Sequence, residues 1–173
     1  MALRDGSTQR QSPEFLNWAG AQMVGGVSDG NFFHNALNGY EKFGLCSEAA
    51  MPYLGAYDSK NAPSENAMKE AAAERRSSRG TIKINWIIPW NAGKRGVNDI
   101  ELAEIKRVLR SGIPIAAGSG HSRLLVGYKD DPTLPGGGKF LTEDSALNRF
   151  DEVTYEFVRK EVCDVFWVEA VNR

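Results

Sequence analysis

A chain of 173 residues, 42% hydrophobic and 25% charged, has the size and composition of one globular domain with a real core, and little room for two. Its 21 basic residues are balanced by 22 acidic ones, which excludes the strongly basic surface that nucleic acid requires. Apolar runs such as Trp86 to Trp90, with a proline inside, are far too short to cross a bilayer, so no membrane partner is expected.

The opening MALRDGSTQR has no apolar stretch of the kind a secretory signal needs. The expected location is the cytoplasm if Met1 is the true start; a displaced start leaves the compartment open. Two cysteines, Cys46 and Cys163, are too few for a disulfide framework and lack metal-ligand spacing. They allow one bridge at most, and whether they meet is open.

In chain order, Ser12-Pro13-Glu14 opens a helix: an N-cap hydroxyl, a proline where no N–H is needed, and an acid at the positive end. Phe15, Leu16, Ala19 and Met23 fall on one face, and Gly25-Gly26 ends the run. A second helix is predicted from Asp29, with Phe33, Ala36, Leu37 and Tyr40 at helical spacing and Gly44 in the left-handed C′ position. After a break at Met51-Pro52-Tyr53, residues 64–76 form a polar, alanine-rich helix with Glu65 near its start and Arg75-Arg76 near its end. The Arg75, Arg76 and Arg79 cluster is most simply a solvated helix end.

From residue 81 the pattern changes. Residues 81–88 alternate, with Ile82, Ile84, Trp86 and Ile88 on one side, as in a half-buried strand. Asn98 and Glu101 form a capping-box pair ahead of Leu102, Ile105, Val108 and Leu109, and Gly112 and Pro114 close that helix. Strand-like runs follow at 113–117, 122–128, 139–142 and 165–168, with a short helix around 154–160 before the last. The loop at 132–138 suggests an antiparallel hairpin. A helical part over residues 1–80 and a β-rich part over 81–173 make an α+β arrangement.

Several chemical signals have plainer readings. His34 lies among apolar helix residues and suits a structural or surface role. Gly136-Gly137-Gly138-Lys139 faintly resembles a phosphate loop, but Phe140 follows the lysine and a strand comes next, so it reads as a hairpin turn. His121, Glu143 and Asp144 have no diagnostic metal spacing, and no metal or cofactor is expected.

The segments SPEFLNWAGAQ at 12–22, DGNFF at 29–33 followed by Ala36-Leu37, YEKFG at 40–44 and EAAMPY at 48–53 recur in a recognisable order. IKRVLRSGIPIAAG at 105–118, GHSRLLVGYKDD at 120–131 and GGGKFLTEDS at 136–145 continue it. Together, over roughly residues 12–170, they resemble the papain-like (C1) cysteine peptidases, especially the compact bacterial branch. The resemblance implies a helical lobe packed on an antiparallel β-barrel lobe with a cleft between them. It also implies peptide-bond hydrolysis by a Cys–His pair acting on a peptide or protein.

On that resemblance His121 is the catalytic imidazole, and Asp144 stands where the family has the asparagine that orients it. An aspartate accepts a ring N–H equally well. Ser145 matches the family, whereas Ala146 replaces the tryptophan that shields the pair, and the join from Ala117 to His121 is short. The family carries a glutamine and then its cysteine on a central helix ahead of the SPEF-like segment. Here eleven residues precede Ser12, none of them cysteine, and Gln9 and Gln11 have the wrong neighbours. MALRDG is similar to the tail of that helix.

The expectation is therefore a peptidase domain lacking the part that bears its nucleophile, inactive as given. It should have marginal stability and an exposed apolar groove that favours self-association. Two alternatives stand beside it: a papain-like pseudoenzyme that binds protein or peptide, and an unrelated α+β domain.

Overall fold

Ser12 starts the first helix as its sequence predicts: Oγ accepts from Phe15 N at 3.0 Å, proline occupies the first turn, and Gly25 ends it at φ 71°, ψ 21°. The computed structural model describes residues 9–26, 30–78, 82–144 and 149–170. Expectations that rest on residues 1–6, Asp29, Arg79, Thr81, Ser145 or Ala146 lie outside these. The chain divides into two compact units, Met1–Ile82 with Ala170–Arg173, and Lys83–Glu169.

The first unit holds α1 (Pro13–Val24), α2 (Phe33–Phe43) and α3 (Glu65–Ser78). Phe32 is the N-cap of α2, three residues later than predicted; Asn31 Oδ1 accepts from Phe32 N and Asn35 Nδ2 at the start of the helix. Phe15 and Ala19 of the predicted face are buried, with Gly20 and Ala21 beside them, whereas Leu16 and Met23 are only partly buried. Close helix approach explains the small residues: a Cβ on Gly39 would lie 2.5 Å from the Ala19 carbonyl carbon, and one on Gly20 would lie 3.2 Å from Ala36 Cα.

Gly44 has φ 81° but ψ −159°, not the left-handed helical conformation predicted. A glycine is needed there because any Cβ would run into the Ala71 carbonyl of α3. Glu70 and Glu74 of α3 then accept the backbone N–H groups of Ser47 and Leu45, which pins the loop between them. Those bonds, first from the Ser47 hydroxyl, hold the Glu70 carboxyl below its usual range.

The second unit is built from β1 (Ile82–Ile88), α4 (Asp99–Arg110), β2 (Ile115–Gly118), β3 (Arg123–Asp130), β4 (Gly138–Asp144), β5 (Arg149–Thr154), α5 (Tyr155–Glu161) and β6 (Asp164–Ala170). The strands form one six-stranded sheet in the order β1-β6-β2-β3-β4-β5, and the pairs β2–β3, β2–β6, β3–β4 and β4–β5 are antiparallel. The sheet is open, with β1 and β5 as its edges. This corrects the expected β-barrel. Closure would need those edge strands to pair; here the core is instead closed by helices on one face.

Asn98 and Glu101 form both halves of the capping box on α4, which buries Leu102, Ile105, Val108 and Leu109 as predicted. They pack with Ile115, Leu125, Phe140 and Val165 of the sheet, each contributing about 1.5–3 kcal/mol of burial. The opposite face leaves Leu124, Leu141, Phe150 and Val168 exposed.

The predicted hairpin is β3–β4, turned through Pro135–Gly137. Gly136 and Gly138 are required there, since a Cβ on the first would meet Glu156 of α5 and one on the second Lys129 O at 2.5 Å. The adjoining Lys139 pairs with Glu152 at 2.6 Å, a hairpin and not a phosphate loop. Strand β5 was not predicted: RFDEVT is half charged, as suits an edge strand, and lacks clean alternation.

Candidate functional site

The site is assembled at one end of the β3–β4 pair. Residues 138, 140, 142 and 144 of β4 are all buried, by the two-residue period of a strand, so Asp144 lies on the core face at the strand's last position. His121 ends the turn that leads from β2 into β3. Because β3 pairs with β4 up to Leu124↔Glu143, the residues just ahead of β3 come level with Asp144.

The imidazole spans this gap, with His121 Nε2 2.9 Å from Asp144 Oδ1. The carboxylate side chain is 5% exposed and the ring 38% exposed. A carboxylate only accepts, so in a neutral ring the proton sits on Nε2 and the lone pair on Nδ1.

The turn carrying His121 is held by side chains. Ser119 Oγ donates to His121 O at 2.7 Å and accepts from His121 N at 3.2 Å. Arg123 Nη1 donates to Ser119 Oγ at 3.0 Å and to His121 O at 3.1 Å. Sequence reasoning missed Ser119 and Arg123. The available signal was parity: Arg123 shares the inward face of β3 with Leu125, where an apolar residue is expected.

Neither cysteine belongs to this arrangement. Both are free thiols. Cys46 is 1% exposed in the core of the helical unit, and burial, then the Glu70 charge, pushes its thiol up. Cys163 is partly exposed; its Sγ lies 3.4 Å from Gly118 O, and burial followed by the Asp164 charge pushes that thiol up as well. It lies just ahead of β6, where its N–H also donates to Gly118 O at the end of β2. A thiol that donates to a carbonyl beside a carboxylate is the reverse of an activated nucleophile.

Glu143 points to the opposite face of β4 from Asp144, so it cannot join His121 and Asp144 around one ion. No group of three metal-ligating side chains is found among the described residues. His34 stacks on Phe32 with ring centroids 5.7 Å apart, a packing contact. Among the described residues no helix is long and apolar enough to cross a membrane.

Chemically, the site holds an oriented imidazole that can take a proton at Nδ1 while a buried carboxylate compensates the charge that forms. No protein-family model matches the chain, and no curated protein matches it.

Proposed function

We propose that His121 and Asp144 are the base half of a papain-like cysteine peptidase centre whose thiol is neither Cys46 nor Cys163. The observation that carries this reading is the 2.9 Å bond from Nε2 to Asp144, which leaves Nδ1 on a half-exposed ring. In such a centre Nδ1 takes the thiol proton, the imidazolium is held by Asp144, and the same proton passes to the leaving amine of a peptide substrate. The chain by itself therefore does not hydrolyse peptides.

Two measurements test this. A peptidyl epoxide probe should label neither cysteine more in the wild type than in His121→Ala, and His121-dependent labelling would overturn the assignment. Adding a small thiol should speed cleavage of a peptide active ester by the wild type roughly tenfold or more over His121→Ala, a modest share of what a positioned base supplies. Equal rates would sink the base role.

A second reading is a pseudoenzyme that binds peptide or protein without cleaving it. The sequence favours it by having Ala146 where the papain-like family has its shielding tryptophan. In that case peptide binding is unchanged in His121→Ala and no thiol rescue occurs.

A further inference from the structure

Arg123 occupies a place where the fold calls for an apolar side chain. It is the first residue of β3, pairs with Ala117 of β2, and shares its face with Leu125, which is fully buried. Placing a permanent cation there costs desolvation that a leucine would not. Among the described residues its guanidinium makes no salt bridge to a carboxylate. Nη1 instead spends its two protons on Ser119 Oγ and the His121 carbonyl, and the guanidinium carbon lies 5.3 Å over the Phe157 ring of α5.

The Ser119 hydroxyl is saturated by this arrangement. It accepts from His121 N and from Arg123 and donates to His121 O, so the backbone of His121 is gripped at both its N–H and its carbonyl. The join it belongs to is short and contains Gly118 and Gly120, residues with much backbone freedom to lose. The clamp acts at His121 itself, whereas the Gly118 end of the turn is held separately by Cys163.

We infer that Arg123 is a positioning residue: through Ser119 and the His121 carbonyl it holds the imidazole against Asp144, with Phe157 as the platform that holds the guanidinium. The inference rests on the role proposed above for His121, and the aromatic contact adds a modest cation–π attraction.

The test is NMR of the full chain with labelled histidine. In the wild type the His121 ring should show one side-chain rotamer and cross-relaxation to protons of residues 143 and 144. Arg123→Met keeps an unbranched chain over Phe157 but no donor; it should lose at least half of that cross-peak intensity and average the rotamer. Arg123→Lys, which restores a cationic donor, should recover most of the intensity. An unchanged ring in Arg123→Met, or a ring as disordered in Arg123→Lys as in Arg123→Met, overturns the inference even where thermal stability falls. A wild-type ring packed on residue 144 with no thiol rescue would instead sink the peptidase reading alone.

Discussion

Asp130 and Asp144 lie at opposite ends of the β3–β4 pair, and the fold treats the two carboxylates differently. Asp130 takes Lys106 Nζ at 2.6 Å and the Tyr155 hydroxyl at 2.8 Å, while the same ammonium lies 5.0 Å from the Tyr128 ring centroid and 5.4 Å from that of Tyr155. The Lys106 bond first, then the Tyr155 hydroxyl, holds the Asp130 carboxyl below its usual range; burial, then that bond, pushes the Tyr155 phenol well up. Both shifts keep Asp130 ionised and the Tyr155 phenol protonated near neutral pH. Asp144 is more deeply buried, yet it is bonded to an imidazole that is open to solvent. One end is a staple between α4, α5 and the sheet; the other pairs a buried carboxylate with a solvent-facing imidazole.

The comparison breaks most visibly at Gly138. A Cβ there would lie 2.5 Å from Lys129 O and from a Tyr155 ring carbon, so Gly138→Ala should cost about 1–3 kcal/mol in urea unfolding while the His121–Asp144 bond persists. An unchanged midpoint would show that the Asp130 end is loosely packed.

Next in size, Asp130→Asn removes a charged partner of Lys106. The carboxylate is 58% exposed, so solvent screening limits the loss to about 1 kcal/mol. Asp144→Asn keeps an acceptor for the ring N–H and should cost less. Chemical denaturation that reverses this order would refute the division between staple and site.

The pH dependence follows from Asp130. Its folded-state pKa is depressed, so its stabilising contribution is complete above the ordinary carboxylate range and is lost as pH falls through the depressed value. The difference in melting temperature between wild type and Asp130→Asn should therefore shrink on acidification below about pH 4. A difference that holds constant to the acid limit would contradict the assignment.

The smallest expected effect is on thiol reactivity. Both thiols should alkylate slowly at neutral pH, Cys163 a few-fold faster than Cys46 because it is partly exposed. His121→Ala should leave both rates unchanged, as mass spectrometry of iodoacetamide-treated protein would show.

Much of the fold is legible where a local rule and the tertiary environment agree. The caps at Ser12 and Asn98, the apolar stripe of α4 and the β3–β4 hairpin are cases of this kind. Legibility fails where a distant partner decides. The small-residue face of α1 follows from its approach to Gly39, the unusual ψ of Gly44 from Ala71, and β5 from pairing with β4 despite its charged sequence.

The site divides along the same line. His121 and Asp144 stood out as residues by resemblance, whereas Ser119 and Arg123 carried no local signal beyond an arginine at an inward position.

By itself the sequence determined the α+β order of elements, the main helix boundaries and the two side chains at the centre of the candidate site. The elements are written in capping residues and periodicity, which act over a few neighbours, whereas His121 and Asp144 are marked by the family resemblance. Tertiary structure alone decided that the sheet is open, that Cys163 faces the Gly118 carbonyl, and that a guanidinium grips the turn carrying the imidazole. Those outcomes depend on strand order and on distances between residues far apart in the chain, which no local pattern encodes.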